Sequence, residues 1–459
     1  MDGIRQLEDY AEQLTASVKI LAQHCRGEGS LGQLLAASDT PKNVTEARVN
    51  ILASVGGIKA LIGSPIDFLQ HLASQVEIVA CLRWLAEFQI LACIPPEVSV
   101  PITDLADLTG IPEQQLSRVT RLTATHGLLR EPKPGFVAHT PLSAQFTAEQ
   151  SLLDAVVFMA ESVAPAALQM ASATQRFGAT RSPTECAYNL AMSTVRPFHV
   201  ARQESSKLDR QWSAYLCHAA GLQQEDALVD ALSRLSWANL GNACIVEVGA
   251  QSTSLARRLA RRFPGLRLVV QINKTHGTTV NPDCMWQGAM APCGAAAASM
   301  DRASPSDADA ETDSDGLSER ITVSYRTPGM PQPVADAAVY VLHTPVAGPR
   351  SPSGAVGVAI RAELQGHLGF LRTTGGVMLI LTTRLLPDPG SIPDREVEAV
   401  ARTRDLNMLQ LTNDGEMEMT ELLAIIESVG DTTGKLAICN ELRSPKGLIL
   451  ALAVKHQPY

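Results

Sequence analysis

Glu247-Val248-Gly249 opens the stretch of this sequence whose residue types and spacing could do chemistry. The segment Cys244–Asn273 reads as strand, tight turn, helix, strand. Cys244–Val248 is short and mostly β-branched, and Gly249 breaks it. Ser254–Arg262 carries Leu255, Ala256, Leu259 and Ala260 at helical spacing. Pro264-Gly265 ends that helix, and Leu266–Val270 is a second apolar strand. Two strands joined by a crossover helix lie parallel and right-handed. In such sheets a nucleotide-like ligand sits above the first turn, and a carboxylate after the second strand holds its ribose. A turn that hugs the ligand needs several glycines, because a β-carbon would occupy ligand space. This chain supplies Gly249 and then Ala250, Gln251, Ser252 and Thr253. Gln271, Ile272 and Asn273, where the carboxylate belongs, include no acid. The residues predict a ligand-binding scaffold with a depleted site upon it.

Metal chemistry finds no support. Nine cysteines are scattered singly, with no CxxC pair and no Cys/His cluster at zinc spacing. Their odd number suggests reduced thiols in an intracellular protein. The 459 residues suffice for two or three domains, and a hydrophobic content of 45 % allows a sizeable core. A net charge of −9 argues against an extended nucleic-acid surface. The amphipathic N-terminus does not read as a secretory signal. No apolar run reaches the ~18–20 residues of a membrane span, so no membrane partner is expected.

The elements that must position the turn follow from periodicity. Residues 4–25 form an amphipathic helix with Ile4, Leu7, Ala11, Leu14, Val18 and Leu21 on one face. Gly27–Thr40 reads as a linker, Ala47–Ile62 as weakly helical, and Asp67–Ile94 as a strong helix started by Ser64, Pro65 and Asp67. These helices pack within the chain or against a second copy, a homodimer. Residues 102–139 read as helix, turn, helix and a two-stranded wing, a winged helix, with Leu116, Val119 and Leu122 facing inward. A DNA-reading version wants basic or amide side chains on the second helix. Arg118, Arg121, Gln114 and Gln115 are a thin supply, and direct DNA binding is disfavoured. Ser151–Phe177 and Ala187–Leu235 read as helical. Residues 274–320 include a Ser/Asp/Ala tract that reads as a disordered insertion. Ala337–His343 and Gly376–Thr383 are buried strands flanking the helix Ala359–Arg372. Asp394–Asn407 and Thr420–Val429 are helical, and Leu436–Leu442 and Gly447–Val454 form a closing hairpin. Strands alternating with helices predict an α/β class with a seven-stranded sheet. The expected divisions are 1–101 (helical), 102–140 (winged helix), 141–235 (helical linker) and 236–459 (the sheet domain).

Taken in order, the chain resembles the small-molecule O-methyltransferases of plants and fungi, which use S-adenosylmethionine. The resemblance runs over most of residues 67–459. It is clearest in Leu105–Leu129, Pro183–Leu190, Val246–Ile272, Val339–His343 and Asp405–Leu423. It implies N-terminal dimer helices, a winged helix, a helical linker and a Rossmann-like seven-stranded methyltransferase-type domain. That family's cofactor turn runs acid-Val-Gly-Gly-Gly-x-Gly. Glu247 matches the acid and Gly249 the first glycine, while Ala250, Gln251 and Thr253 replace the other three. The ribose-binding aspartate matches Ile272, or Asn273 if the register slips. The catalytic histidine matches His343, but Thr344 and Pro345 follow it where the family has Asp-Trp. Of two glutamates that flank the histidine, one matches Thr383 and is absent. The other matches Glu418 and is present. Losing the ribose carboxylate forfeits hydrogen bonds of roughly 1.5–3 kcal/mol each. Side chains at the glycine positions are expected to crowd the crevice. A base without its orienting partners loses further rate.

A chain of this layout is similar, more narrowly, to the transcriptional co-activators of fungal polyketide clusters, of the aflatoxin-cluster type. The likeness lies in the length, in the winged helix followed by a broken glycine motif, in Glu247-Val248-Gly249, and in Leu259 with Phe263-Pro264-Gly265-Leu266-Arg267. It implies a non-catalytic co-activator without cofactor that binds a pathway-specific zinc-cluster transcription factor in the nucleus. The alternative is an active S-adenosylmethionine-dependent O-methyltransferase on an aromatic polyketide phenol. Glu247 and Gly249 would then hold the cofactor, His343 would be the base and Glu418 its helper. Arg257, Arg258, Arg261 and Arg262 make a basic helix face that would suit an acidic partner.

Overall fold

A computed structural model describes residues 2–28, 41–220, 228–229, 232–235, 237–250, 252–273, 320–344, 355–382, 385–391, 395–443 and 450–459. The chain forms two compact units, Met1–Ala160 with Asp394–Glu396, and Glu161–Pro393 with Val397–Tyr459. The expected insertion up to Glu319, the turn of the closing hairpin and Thr383 lie outside the described residues.

In the first unit the helices Asp2–Glu28 and Lys42–Ile62 run against each other. Gly57 lies so close to the Tyr10 ring that a β-carbon there would have no room. The next helix, Pro65–Glu87, starts on a capping box in which Asp67 N donates to Ser64 Oγ at 3.2 Å and Ser64 N donates to Asp67 Oδ2 at 2.9 Å. It stops short of the expected Ile94, because Gln89 turns left-handed at φ 53° and a separate 3₁₀ turn, Ile90–Cys93, follows.

Strand β1 (Val100–Pro101), helices Ile102–Thr109 and Glu113–Thr125, and strands β2 (Leu129–Arg130) and β3 (Phe136–His139) come next. The strands form one antiparallel sheet in the order β1-β3-β2. Leu85, Ile90, Leu105, Leu116, Leu129 and Val137 share its core. The buried face of Glu113–Thr125 is Leu116, Thr120 and Thr123, with Val119 and Leu122 half-buried. The face is therefore rotated from the expected leucine–valine stripe. Thr123 is admitted because its Oγ1 donates to the Val119 carbonyl at 2.8 Å. Arg121 on the same helix is paired to Glu131, Nε to Oε2 at 3.2 Å and Nη2 to Oε1 at 3.3 Å.

The helical region that follows is more broken than its apolar pattern suggests. Ser151–Phe177 resolves into Gln150–Phe158, a π-turn at Met159–Val163, Ala164–Leu168 and Met170–Phe177. Among the described residues up to Ala220, the expected helix Ala187–Leu235 divides into Ala187–Ala191, Phe198–Glu204 and Ser206–His218, with Pro197 and Ser205 at the breaks. Gln150–Leu168 is, by length and composition, long and apolar enough to cross a bilayer, which corrects the expectation that no run is. Its alanines and valines raise the hydropathy of a stretch that also carries Asp154, itself buried.

The second unit is built on one sheet of strands β4 (Cys244–Ala250), β5 (Arg267–Asn273), β6 (Ile321–Arg326), β7 (Val339–His343), β8 (Val377–Thr382), β9 (Gly430–Asp431), β10 (Gly434–Arg443) and β11 (Leu450–Pro458). Their order is β6-β5-β4-β7-β8-β11-β10-β9. The first five are parallel and the last three antiparallel to their neighbours. The eighth strand, beyond the seven expected, is the two-residue edge β9. Val246, Val248, Tyr340 and Leu342 pack under the helix Ala355–Thr374 through Ile360, Leu364, Leu368 and Leu371. On the other face Ile245, Val339 and Val341 pack with Leu255, Ala256 and Leu259 of the helix Ser254–Arg262. Chain progression reverses between β4 and β7, so the crevice beyond their carboxyl ends is where such sheets receive ligands.

Candidate functional site

Three strand ends meet at that reversal. Gly249 is the irregular residue of the β4–β5 pairing, where the register shifts between Val248 and Ala250. Its φ of +75° is a conformation that side-chain-bearing residues rarely adopt. A β-carbon built on it would stand 3.5 Å from both the Asn273 amide nitrogen and the His343 carbonyl oxygen. Strand β5 runs on to Asn273, past the expected end at Val270. The side chain beside the glycine turn, where the ribose carboxylate would be, is thus the neutral amide of Asn273.

Glu247 and His343 occupy adjacent parallel strands on the same face of the sheet. Glu247 is 4 % exposed. His343 Nε2 lies 2.7 Å from Glu247 Oε1, and the histidine side chain is about one quarter exposed. The residue matched to the cofactor acid is therefore bonded directly to the residue matched to the catalytic base. Glu418 stands elsewhere, exposed at the N-cap of the helix Met419–Glu427, where it accepts from Thr420 Oγ1 at 3.5 Å. No hydrogen bond joins Glu418 to His343 among the described residues.

The expected crowding of the crevice holds only in part. The Ala250 methyl is 2 % exposed and belongs to the core beneath the helix Ser254–Arg262, so it does not stand in ligand space. The bulge at Gly249 turns that position inward. Thr253 caps the helix Ser254–Arg262 without a side-chain cap bond, and Gln251 lies outside the described residues. Among the described residues no group of three or more His, Cys, Asp or Glu could hold a metal ion.

The fold is shared with solved structures, a methyltransferase among them. The solved structure titled "A Pericyclic Reaction enzyme" matches with a TM-score of 0.61 at 14% identity, covering 97% of this chain and 100% of its own. The structure of OxaC matches with a TM-score of 0.57 at 16% identity, over 99% and 100%. The mitomycin 7-O-methyltransferase MmcR matches at 0.55 and 16% identity, over 85% and 97%. At these identities the likeness concerns the fold. Sequence goes further. The family profile described as the trypacidin cluster transcriptional coactivator tpcD N-terminal domain matches residues 4–63. The notoamide biosynthesis cluster transcriptional coactivator notR of Aspergillus sp. (strain MF297-2) is 53% identical over 460 residues, 100% of this chain and 99% of that protein. The trypacidin cluster transcriptional coactivator tpcD of Aspergillus fumigatus is 40% identical over 100% of this chain and 98% of its own length. The chain belongs to the family of fungal secondary-metabolite cluster transcriptional coactivators.

Proposed function

We propose that this chain raises transcription of a fungal secondary-metabolite gene cluster as an adaptor, without transferring methyl groups. The partner fitting this reading is a pathway-specific zinc-cluster transcription factor, met in the nucleus. The observation that carries the non-catalytic half is the 2.7 Å contact between His343 Nε2 and Glu247 Oε1. In methyl transfer the acid that holds the donor and the base that deprotonates the acceptor would each be turned to a reactant. Here the two side chains are bonded to each other. Asn273 beside Gly249 supports the same reading. A neutral amide replaces the charge-assisted hydrogen bonds a carboxylate would give a ribose. On this reading S-adenosylmethionine is not a ligand of the chain.

Calorimetric titration of the full chain with S-adenosylmethionine tests this. The expected result is no saturable heat at micromolar concentrations. A micromolar one-to-one isotherm, lost on Asn273→Ala, would return the chain to the enzymes.

A further inference from the structure

The sheet of the second unit ends differently on its two sides. One margin is β9, two residues long, with Asp431 ion-paired to Arg372 at 2.8 Å. The other is β6, which pairs in parallel with β5 from Ile321 to Arg326 without a bulge and has no strand beyond it among the described residues. A strand in that position presents a row of backbone N–H and C=O groups on its outer side. Proteins that do not use such a row shield it with charge, proline, a bulge or brevity. The run Thr322-Val323-Ser324-Tyr325, inside a six-residue strand, has none of the four. Its side chains alternate across the sheet. Ile321 packs against the core under the helix Ser254–Arg262, while Val323 and Tyr325 on the same face are 39 % and 45 % exposed. The margin therefore offers peptide hydrogen-bonding groups beside an apolar shelf.

Positive charge stands at its start. Arg320 Nη1 donates to the Ala260 and Pro264 carbonyls at 3.1 and 2.8 Å, which sets the beginning of β6 against the end of that helix. The last turn of the helix carries Arg261 and Arg262, both exposed. Arg267, exposed one residue before the Leu268–Ile321 pair, adds a third, its Nε donating to the Asn242 carbonyl at 3.4 Å. Among the described residues none of these three has a carboxylate partner. The helix dipole accounts for cations at a helix C-terminus, but not for Arg267 on a strand. The two features select one kind of occupant. The peptide row suits a second extended backbone, and the arginines suit carboxylates. A phosphodiester backbone would satisfy the arginines and leave the row and the shelf unused. A second copy presenting the same edge would bring no acid, since Ile321–Arg326 contains none.

We propose that the outer edge of β6 takes up an extended acidic segment of a partner protein as a further strand, its carboxylates set against Arg261, Arg262 and Arg267. The proposal rests on the adaptor reading only in supposing a partner protein at all.

The test follows fluorescence anisotropy of a labelled, blocked peptide of alternating valine and aspartate, long enough to span β6, on titration with the full chain. One control peptide carries lysine for aspartate. The other has every backbone nitrogen methylated, which removes its donors. The acidic peptide should bind saturably and slow amide exchange across Thr322–Tyr325, and both controls should bind about ten-fold more weakly or not at all. Arg261→Gln with Arg262→Gln, at exposed positions that leave packing alone, should weaken the acidic peptide about five-fold, two surface ion pairs' worth. Absence of binding, unslowed exchange in β6, equal binding of either control, or indifference to the arginine pair would overturn the assignment. Binding seen only after removal of residues 301–318 would give the edge to this chain's own acids and overturn it equally. None of these results bears on the S-adenosylmethionine titration, so the two readings fail separately.

Discussion

At the scale of single residues, Gly249 separates what a fold needs from what a ligand needs. Its φ of +75° costs an alanine about 1–2 kcal/mol. A β-carbon there would meet its neighbours only at ordinary contact distances. Gly249→Ala should therefore lower the melting temperature by a few degrees in the absence of any ligand. An unchanged melt would mean that the glycine is kept for something bound above it. The glycine turn was legible in the sequence, because a strand end followed by a glycine and a helix is a local pattern, while Glu247 and His343 were singled out only by the resemblance to the methyltransferases. Their contact was not legible. Glu247 and His343 are 96 positions apart, and only the parallel pairing of Val248 with Leu342 brings the ends together. The Asn273 position depended in the same way on how far β5 runs. Gln410 was missed because the expected helix Asp394–Asn407 stops before it, whereas the helix runs to Thr412. The available signal was polar residues at core spacing, Arg404, Asn407 and Gln410, all buried on one helix.

At the scale of elements, the helix Ala355–Thr374 is locked to strands β5 and β6 by a buried polar chain. Gln271 and Gln332 exchange amide hydrogen bonds at 2.6 and 2.9 Å. Gln332 Nε2 donates onward to His367 Nε2 at 2.9 Å, and His367 Nδ1 donates to the Glu363 carbonyl at 2.7 Å. Glu363 pairs with Arg326 at 2.7 Å and accepts from Gly329 N at 2.6 Å. Tyr340 sets its ring edge-on to the imidazole at 5.2 Å. Burial holds the His367 pKa below the ordinary 6.5, and Arg326 adds to the depression against the opposing pull of Glu363. Both ring nitrogens are used by the neutral form. In the unfolded chain the histidine takes up its proton near 6.5, so the unfolded state binds more protons just below that pH. The stability from this group is complete above about pH 6.5 and is lost as the pH falls toward the folded-state value. Urea midpoints should drop on going from about pH 7 to about pH 5. His367→Gln, which can still accept from Gln332, should flatten that part of the slope, and an unaltered slope would remove His367 from the account. The strands of this unit were readable as apolar runs, but the polar chain was not, since its members lie on different elements. The breaks in Ser151–Phe177 escaped for another reason. A π-turn leaves apolar periodicity nearly intact, so Met159–Val163 reads as ordinary helix.

At the scale of the whole molecule, the sheet and its covering helices form a packed core, while the proposed function asks nothing catalytic of the crevice at the strand ends. Val246, Tyr340 and Leu364 are fully buried, so the demand for a packed core has not been relaxed. On the proposed reading, what departs from an enzyme lies in side chains at the strand ends and in the turn after β4, and stability does not require those to be catalytic. A protein under selection for its surfaces would keep this kind of core and let this kind of crevice change. That argument fixes what genetics should show. In a fungal strain carrying the cluster, Glu247→Gln with His343→Gln keeps an amide pair across β4 and β7 while removing both the acid and the base. Cluster transcript levels should stay within about two-fold of wild type, far inside what loss of a catalytic base produces, about 10²–10⁴ in rate. A collapse of transcription in that double variant, with the protein still folded and abundant, would mean that the crevice carries the function after all.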